Sequence, residues 1–460
     1  MIGNAERVEQ FIDCGNRLCI VGAGPHGLIA ARAMKRNYID FEILERHCDV
    51  GGLWDASNAG TPLYQSCHFI SSANSSAYPD YPMPDHFPDY PSHHHILDYI
   101  RRFAKDFGLY PNIRFNAEVV CAEPVGDGRW DVTLNNGEVR RYAALVCCPG
   151  SNWHPRMPEL EGEFDGEIIH SVQYNDASQF AGKRVLIIGL GNSGADIACD
   201  AAPNAAATFV SVRRGYHFVP KHIFGVPLLD FLHGAGHELV PPAMQGLDLP
   251  EMVRVITGDP TRFGFPVPDH QLLESHPLVN TQLLHYLAHG DAHVKGAISQ
   301  LSGKHVHFAD GSIEEIDLIV CATGYDHKIP FIDEDLLDWV DGRPQLYLTV
   351  FHDKHPTLFV FGLLEAGGAP YQQMDDLANF IANYLKDRTD SPARAAKWEA
   401  LVRSGPIDLK AGMNYVQSAR TANYVNIAAL IGAIEHLKTE TGWETAPPGG
   451  YDALRISIAG

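Results

Sequence analysis

Short apolar runs rich in Val, Ile and Leu alternate with Ala-rich stretches along this chain, and a strand-then-helix rhythm comes twice. Residues 18–21 (Leu-Cys-Ile-Val) are too few for a buried helix and are bounded by glycine, so they predict a strand. Helical spacing continues to about Lys35, and a second apolar run, 41–44, leads into Glu45. The same order returns with the run 184–188, an Ala-rich helix, and the run 208–210. Residues 130–133 and 141–148 read as strands about the turn Asn135-Asn136-Gly137, and 316–325 and 357–361 as further strands. Residues 97–107 and 375–385 read as helices. Residues 60–92, rich in Pro, Tyr, Ser and Asp, predict a long irregular segment of the kind that usually serves function. Beyond 386, polar helical patterns lead to a Pro-Gly-rich tail at 446–451. Strands alternating with helices predict an α/β fold with parallel sheets. The division expected is 1–165, an inserted 166–325, and a return to the first domain over 326–460.

Each repeated unit carries a glycine fingerprint between its strand and its helix. The first is Gly22-Ala23-Gly24-Pro25-His26-Gly27 and the second Gly189-Leu190-Gly191-Asn192-Ser193-Gly194. In such a turn the first glycine makes the bend, the second lets backbone approach a pyrophosphate, and the third lets helix and strand pack closely. The helix N-terminus then offers unpaired N–H groups to the phosphates. Two such units predict two Rossmann-like domains and two dinucleotides. The ends of the following strands tell them apart. Glu45, 18 residues beyond Gly27, can accept hydrogen bonds from a ribose diol and repels a 2′-phosphate, which points to FAD. The second unit ends instead in Ser211-Val212-Arg213-Arg214, a hydroxyl and two guanidiniums suited to the 2′-phosphate of NADP(H). The competing reading is that the two arginines only solvate a strand end. Gly51-Gly52-Leu53-Trp54 allows backbone to approach the first cofactor, with Trp54 placed to cover a flat ring. Arg46 and Val119 are expected beside the same cofactor. Ala322-Thr323-Gly324-Tyr325 ends the 316–325 strand in a glycine turn facing the second nucleotide.

Composition narrows the partners. The chain has 460 residues, and 35 basic against 56 acidic ones give a formal net charge of −21, which argues against nucleic acid or an anionic membrane as partner. Nine cysteines without a C-x-x-C fit reduced thiols better than a disulfide framework or a redox dithiol, and no apolar run reaches transmembrane length. These features predict a cytoplasmic protein. Nothing in them sets the oligomeric state, and a homodimer is the one assembly allowed for. His93-His94-His95 reads as a solvated first helical turn; no His/Asp/Glu spacing resembles a metal-ligand set. Glu365 and Asp375 read as solvated carboxylates, or as groups attracting a cationic amine.

Phe164-Asp165-Gly166-Glu167-Ile168-Ile169-His170-Ser171-Val172-Gln173-Tyr174 resembles F-x-G-x-x-x-H-S-x-x-Y, the signature of flavin-containing monooxygenases. Gly51-Gly52-Leu53-Trp54, Tyr78-Pro79-Asp80-Tyr81-Pro82, Gly191-Asn192-Ser193-Gly194-Ala195-Asp196-Ile197 and Ala322-Thr323-Gly324-Tyr325 are similar to the same family. The resemblance runs from about residue 15 to 385. It implies an NADPH-dependent, FAD-containing enzyme that forms a flavin C4a-hydroperoxide from O2 and passes one oxygen atom to the nitrogen or sulfur of an amine or sulfide. The alternatives are Baeyer–Villiger oxygenation of a ketone and a largely uncoupled NADPH oxidase. Relatives of the Baeyer–Villiger kind usually end the signature in Trp; here it ends in Tyr174.

The resemblance also implies a peroxide-facing Asn in the segment before Tyr78. Counting without gaps places Ile70 there, and Asn74, Ser72 and Ser71 are the polar residues nearby that stand as alternatives. Near the flavin, where relatives often carry Gln, this chain has Leu377, with Gln372 and Gln373 expected to compensate. The access channel is expected to draw on 226–280, 60–80 and the C-terminal helices.

Overall fold

The computed structural model describes residues 11–418 and 420–456. The strand-then-helix rhythm folds into one plan built twice. In the first unit five parallel strands stand in the order Leu358–Val360, Ala144–Cys147, Leu18–Val21, Phe41–Leu44, Ile113–Arg114. In the second the order is Glu167–His170, Leu318–Cys321, Arg184–Ile188, Ala207–Ser211, His293–Lys295, again parallel. The strand before each glycine turn is central in both. Such strands are covered on both faces, which is why they read as unbroken apolar runs rather than alternations.

Each parallel sheet has a four-stranded companion. Phe11–Asp13, Val139–Tyr142, Trp130–Leu134 and Val119–Pro124 form the first; Gly162–Phe164, Ile298–Gly303, His305–Phe308 and Ile313–Glu315 form the second. The single strand expected over 141–148 is therefore two. Val139–Tyr142 pairs antiparallel with Trp130–Leu134 and buries every second side chain, while Ala144–Cys147 enters the parallel sheet and buries all four. Eight consecutive apolar-leaning residues hid a change of sheet at Ala143, because periodicity alone cannot separate two short strands joined end to end.

The helix Pro25–Arg36 follows the first glycine turn, and Asn192–Ala201 the second. The helix expected over 97–107 spans His93–Asp106, four residues earlier. His93 is buried rather than solvated, because its N–H donates to the carbonyl of Cys67 and the 60–70 segment lies over it. Helix Tyr371–Asp390 packs on Pro25–Arg36 and extends the predicted 375–385 at both ends. Between them Arg32 is fully buried, its Nη2 2.9 Å from Asp375 and its guanidinium 3.7 Å from the Tyr451 ring centroid. The Tyr451 hydroxyl donates to the same carboxylate at 2.8 Å, which ties the C-terminal tail to the first nucleotide helix. Burial pushes the Asp375 carboxyl above its usual range, against the pull of Arg32. Asp375 is thus a buried, paired carboxylate, not a solvated one and not one free for an amine. Among the described residues no helix is long and apolar enough to cross a membrane.

Candidate active site

Both glycine turns open onto one cavity of about 1510 Å3 at the carboxyl ends of the two parallel sheets. This is the place where open α/β sheets bind ligands. On the first side Gly22, Gly24, Pro25, His26, Gly27, Glu45, Arg46, Gly52, Leu53, Trp54 and Val119 line it. Gly24 faces Gly52: a Cβ added to Gly24 would lie 3.6 Å from the Gly52 Cα. The gap between these two backbones is a slot that side chains would close.

Glu45 is buried behind the turn. Its Oε2 accepts the Ala23 N–H at 2.6 Å and its Oε1 the His47 N–H at 2.8 Å. A carboxylate oxygen has a second acceptor site, so the group is oriented by backbone and still able to take a ribose hydroxyl. The Arg46 guanidinium lies 4.1 Å from the Trp153 ring centroid at the same edge. His26 packs between Phe361 and Tyr371, and burial holds its imidazole down at about 4, so the ring is neutral.

Gly189, Gly191, Asn192, Ser193, Gly194, Ser211, Arg213, Arg214, Ala322, Thr323, Gly324 and Tyr325 line the second side. A Cβ on Gly194 would stand 2.3 Å from the Gly189 carbonyl oxygen, so the third glycine is required by helix–strand packing. A Cβ on Gly191 would meet nothing within 4 Å, because this glycine faces the open cavity. Ser211 Oγ donates to the Gly296 carbonyl at 2.8 Å, and Arg213 is exposed. The two glycine pairs, one facing a slot and one facing open space, fit two pyrophosphates.

The signature segment at 164–174 joins the two units. Val172 N–H donates to His170 Nδ1 at 3.2 Å, which leaves Nε2–H to donate to the Gly324 carbonyl at 3.1 Å. His170 thereby fixes the glycine turn before Tyr325, whose ring it also meets edge-on at 5.1 Å between centroids. Tyr174 is fully buried, stacked on Phe180, and its hydroxyl donates to Asp200 at 2.8 Å.

The 60–76 segment forms the roof, and its polar residues divide in a way the sequence did not show. Ile70, Ser71 and Ser76 line the cavity, and the Ser76 hydroxyl donates to Ser71 Oγ at 2.7 Å. Ser72 and Asn74 are not among the lining residues. Asp230, on the short helix Leu228–Leu232, takes the Ser72 hydroxyl at 3.1 Å and the Asn74 amide at 3.3 Å. Nor does Gln373 line the cavity; Tyr371, two residues earlier, does. The roof is latched to the second nucleotide helix. Tyr64 donates to Asp196 at 3.0 Å, Ser66 donates to Asp200, and Gln65 N–H donates to the Asn175 carbonyl at 2.8 Å.

Of the segment 226–280 only Asp269 and the stretch 275–278 reach the cavity. His276 stands there with Arg420, and burial lowers its imidazole to about 3. Glu365, expected as a solvated group, is instead paired with Arg420 Nε at 3.3 Å and with His327 at 3.8 Å. Burial alone would raise its carboxyl; Arg420 and His327 hold it below its usual range.

These features are those of a protein with two dinucleotide-binding turns opening onto one cavity. The description "Flavin-binding monooxygenase-like" matches residues 15–438. Flavin-containing monooxygenase 5 of Mus musculus is 32% identical over 377 residues, 77% of this chain and 70% of that protein. Dimethylaniline monooxygenase (N-oxide-forming) 2 of Rattus norvegicus is 30% identical over 397 residues, 80% of this chain and 73% of that one. Among solved structures, S-allyl-L-cysteine S-oxygenase from Allium sativum shares the fold with a TM-score of 0.64 at 21% identity, covering 96% of this chain and 91% of that one. The chain belongs to the flavin-binding monooxygenase-like family. It is an NADPH-dependent flavin monooxygenase with FAD and NADP(H) as cofactors, acting on a small organic substrate and O2.

Proposed function

We propose that this enzyme oxygenates nitrogen or sulfur in a small organic molecule. The observation that carries the reading is the single cavity of about 1510 Å3 shared by both glycine turns and the roof of Leu63, Phe69 and Ile70. Bound FAD, once reduced by NADPH, supplies the activated oxygen, and the protein supplies position, dryness and hydrogen bonds. In this reading Gly22, Gly24, Pro25, His26, Gly27 and Glu45 hold FAD, with Arg46, Gly52, Leu53, Trp54 and Val119 around it. Gly189, Gly191, Asn192, Ser193 and Gly194 hold the NADP(H) pyrophosphate, Arg213 its 2′-phosphate, and Ala322, Thr323, Gly324 and Tyr325 close that side.

Leu63, Phe69 and Ile70 of the roof, with Trp54 beside them, give the cavity apolar lining, while Ser71 and Ser76 are the hydroxyls the roof turns to the cavity. Cys67 also lines the cavity, and burial pushes its thiol up to about 12. The relative that forms an N-oxide from dimethylaniline supports heteroatom attack, as does Tyr174 at the end of the signature. A cytoplasmic location belongs to the same proposal, supported by nine free cysteines, and so does a homodimer, which sedimentation of the yellow protein tests.

The deciding experiment is product analysis with an amine, a sulfide and a ketone, with NADPH consumption and hydrogen peroxide measured together. An N-oxide or sulfoxide is the expected main product. An ester or lactone from the ketone as main product overturns the reading, and peroxide accounting for all the NADPH with every substrate makes the protein an oxidase.

A further inference from the structure

The strand after the second glycine turn ends in Ser211-Val212-Arg213-Arg214, with no acid among them. Folding brings one from 55 residues away: Arg214 Nη2 lies 2.9 Å from Oδ2 of Asp269, and Ser211, Arg213, Arg214 and Asp269 all line the cavity. The backbone on both sides of this contact is pinned. A Cβ added to Gly215 would stand 2.2 Å from the Pro266 carbonyl oxygen and 2.4 Å from the Pro268 nitrogen, so the segment before Asp269 lies directly on the residue after Arg214. The Phe218 and Phe265 rings pack 5.2 Å apart, and His217 Nε2 meets the His270 carbonyl at 2.8 Å. His270 Nδ1 reaches the other Asp269 oxygen at 2.9 Å, so both carboxylate oxygens are oriented. Segments 214–218 and 265–270 form a clasp that holds one carboxylate against one of the two guanidiniums. Arg213 is exposed and enters no ion pair among the described residues.

We propose that Asp269 is a specificity-determining residue for the nicotinamide dinucleotide: it occupies Arg214 and opposes a 2′-phosphate, and so limits the preference for NADPH over NADH. The inference rests on the assignment of the second glycine turn and Arg213 to NADP(H). A phosphate monoester carries nearly two negative charges at neutral pH, so engaging Arg214 requires displacing a carboxylate that the clasp keeps close by. An exposed ion pair is weak, so the exchange takes place, but the like-charge repulsion remains. NADH, with a free ribose hydroxyl, meets no such repulsion, and a carboxylate is an acceptor for that hydroxyl. The acid that the strand end lacks is thus supplied by segment 265–270.

The test compares NADPH and NADH kinetics of the FAD-loaded enzyme in wild type, Asp269→Asn, Asp269→Ala and Arg213→Ala. In both Asp269 variants the KM for NADPH is expected to fall about three- to tenfold while that for NADH holds or rises, with the gain shrinking as salt is raised. Equal change for both nicotinamides, or none for either, overturns the proposal. So does loss of bound flavin in both variants, since the carboxylate would then serve only the fold. Arg213→Ala reads the underlying assignment separately: an unchanged NADPH preference in that variant removes the nucleotide site itself, whatever the Asp269 variants do.

Discussion

The two glycine turns share one plan and meet their surroundings oppositely. The first is enclosed: Gly24 looks across a slot at Gly52, Glu45 is buried and bonded to two backbone N–H groups, and helix Pro25–Arg36 is packed under Tyr371–Asp390. The second is open: Gly191 and Ser193 are exposed, an added Cβ at Gly191 meets nothing, and Arg213 is exposed at the cavity. The difference matches what each dinucleotide does in a monooxygenase cycle. Under the proposed assignment the enclosed turn holds the FAD that the enzyme retains, and the open turn the NADP(H) that it exchanges. Burial and orientation suit retention; exposure suits exchange.

Substitutions at matched positions break this comparison most directly. Gly24→Val is expected to abolish flavin binding, because its γ-carbons fill the slot to Gly52; absorbance per chain of the purified protein measures it. Gly191→Val projects into open cavity, so the protein should fold and stay yellow. Its KM for NADPH should rise about tenfold to a hundredfold, from roughly 1.5–3 kcal/mol of lost phosphate contact. If both variants lose flavin equally, the two sites are not distinguished as proposed. Arg213→Ala is expected to weaken NADPH by a similar factor and NADH little.

The roof gives smaller effects. Tyr64→Phe removes the 3.0 Å bond to Asp196 and leaves a half-buried carboxylate short of one donor, at about 0.5–1.5 kcal/mol. The latch between roof and second helix loosens, and the share of NADPH lost as hydrogen peroxide should rise about twofold to tenfold. Ile70→Asn should lower that leak by adding a donor to the cavity wall and Ser71→Ala should raise it. Asn74→Ala should leave it unchanged, because Asn74 serves Asp230. A leak that responds to Asn74 and not to Ile70 or Ser71 reverses the order of the roof.

The mildest effect is acid lability. His26 has an ordinary value of 6.5, and burial lowers it to about 4 in the fold. Protons therefore bind the unfolded chain first. The stability of the neutral ring is fully present above pH 6.5 and is lost as pH falls towards 4. His276, lowered to about 3, acts in the same direction. Flavin release followed by fluorescence should begin below about pH 6.5, and His26→Gln should flatten part of that profile.

What the sequence determined is what short-range physics writes into it. Residues 18–21 and 184–188 are strands because branched apolar side chains fill a doubly covered sheet, and Gly22, Gly27, Gly189 and Gly194 after them stand where an added Cβ would meet a backbone oxygen. Glu45 and Arg213 follow at the ends of the next strands, so the residues that point to two dinucleotides, and to which is which, lie on contiguous stretches. Tertiary structure decided whatever depends on residues far apart in the chain. Asp230 draws Ser72 and Asn74 off the cavity from more than 150 positions away, as the 158 and 156 separating them show. Arg32 removes Asp375 from solvent across 343 positions. The backbone of 266–268, pressed on Gly215, sets Asp269 beside Arg214. None of these pairs has a period or a motif. Arg32 and Asp375 pair because a buried charge left alone costs more than any local preference of its own segment, while the exposed contacts of Asn74 and Asp269 are set by the backbones that packing brings together.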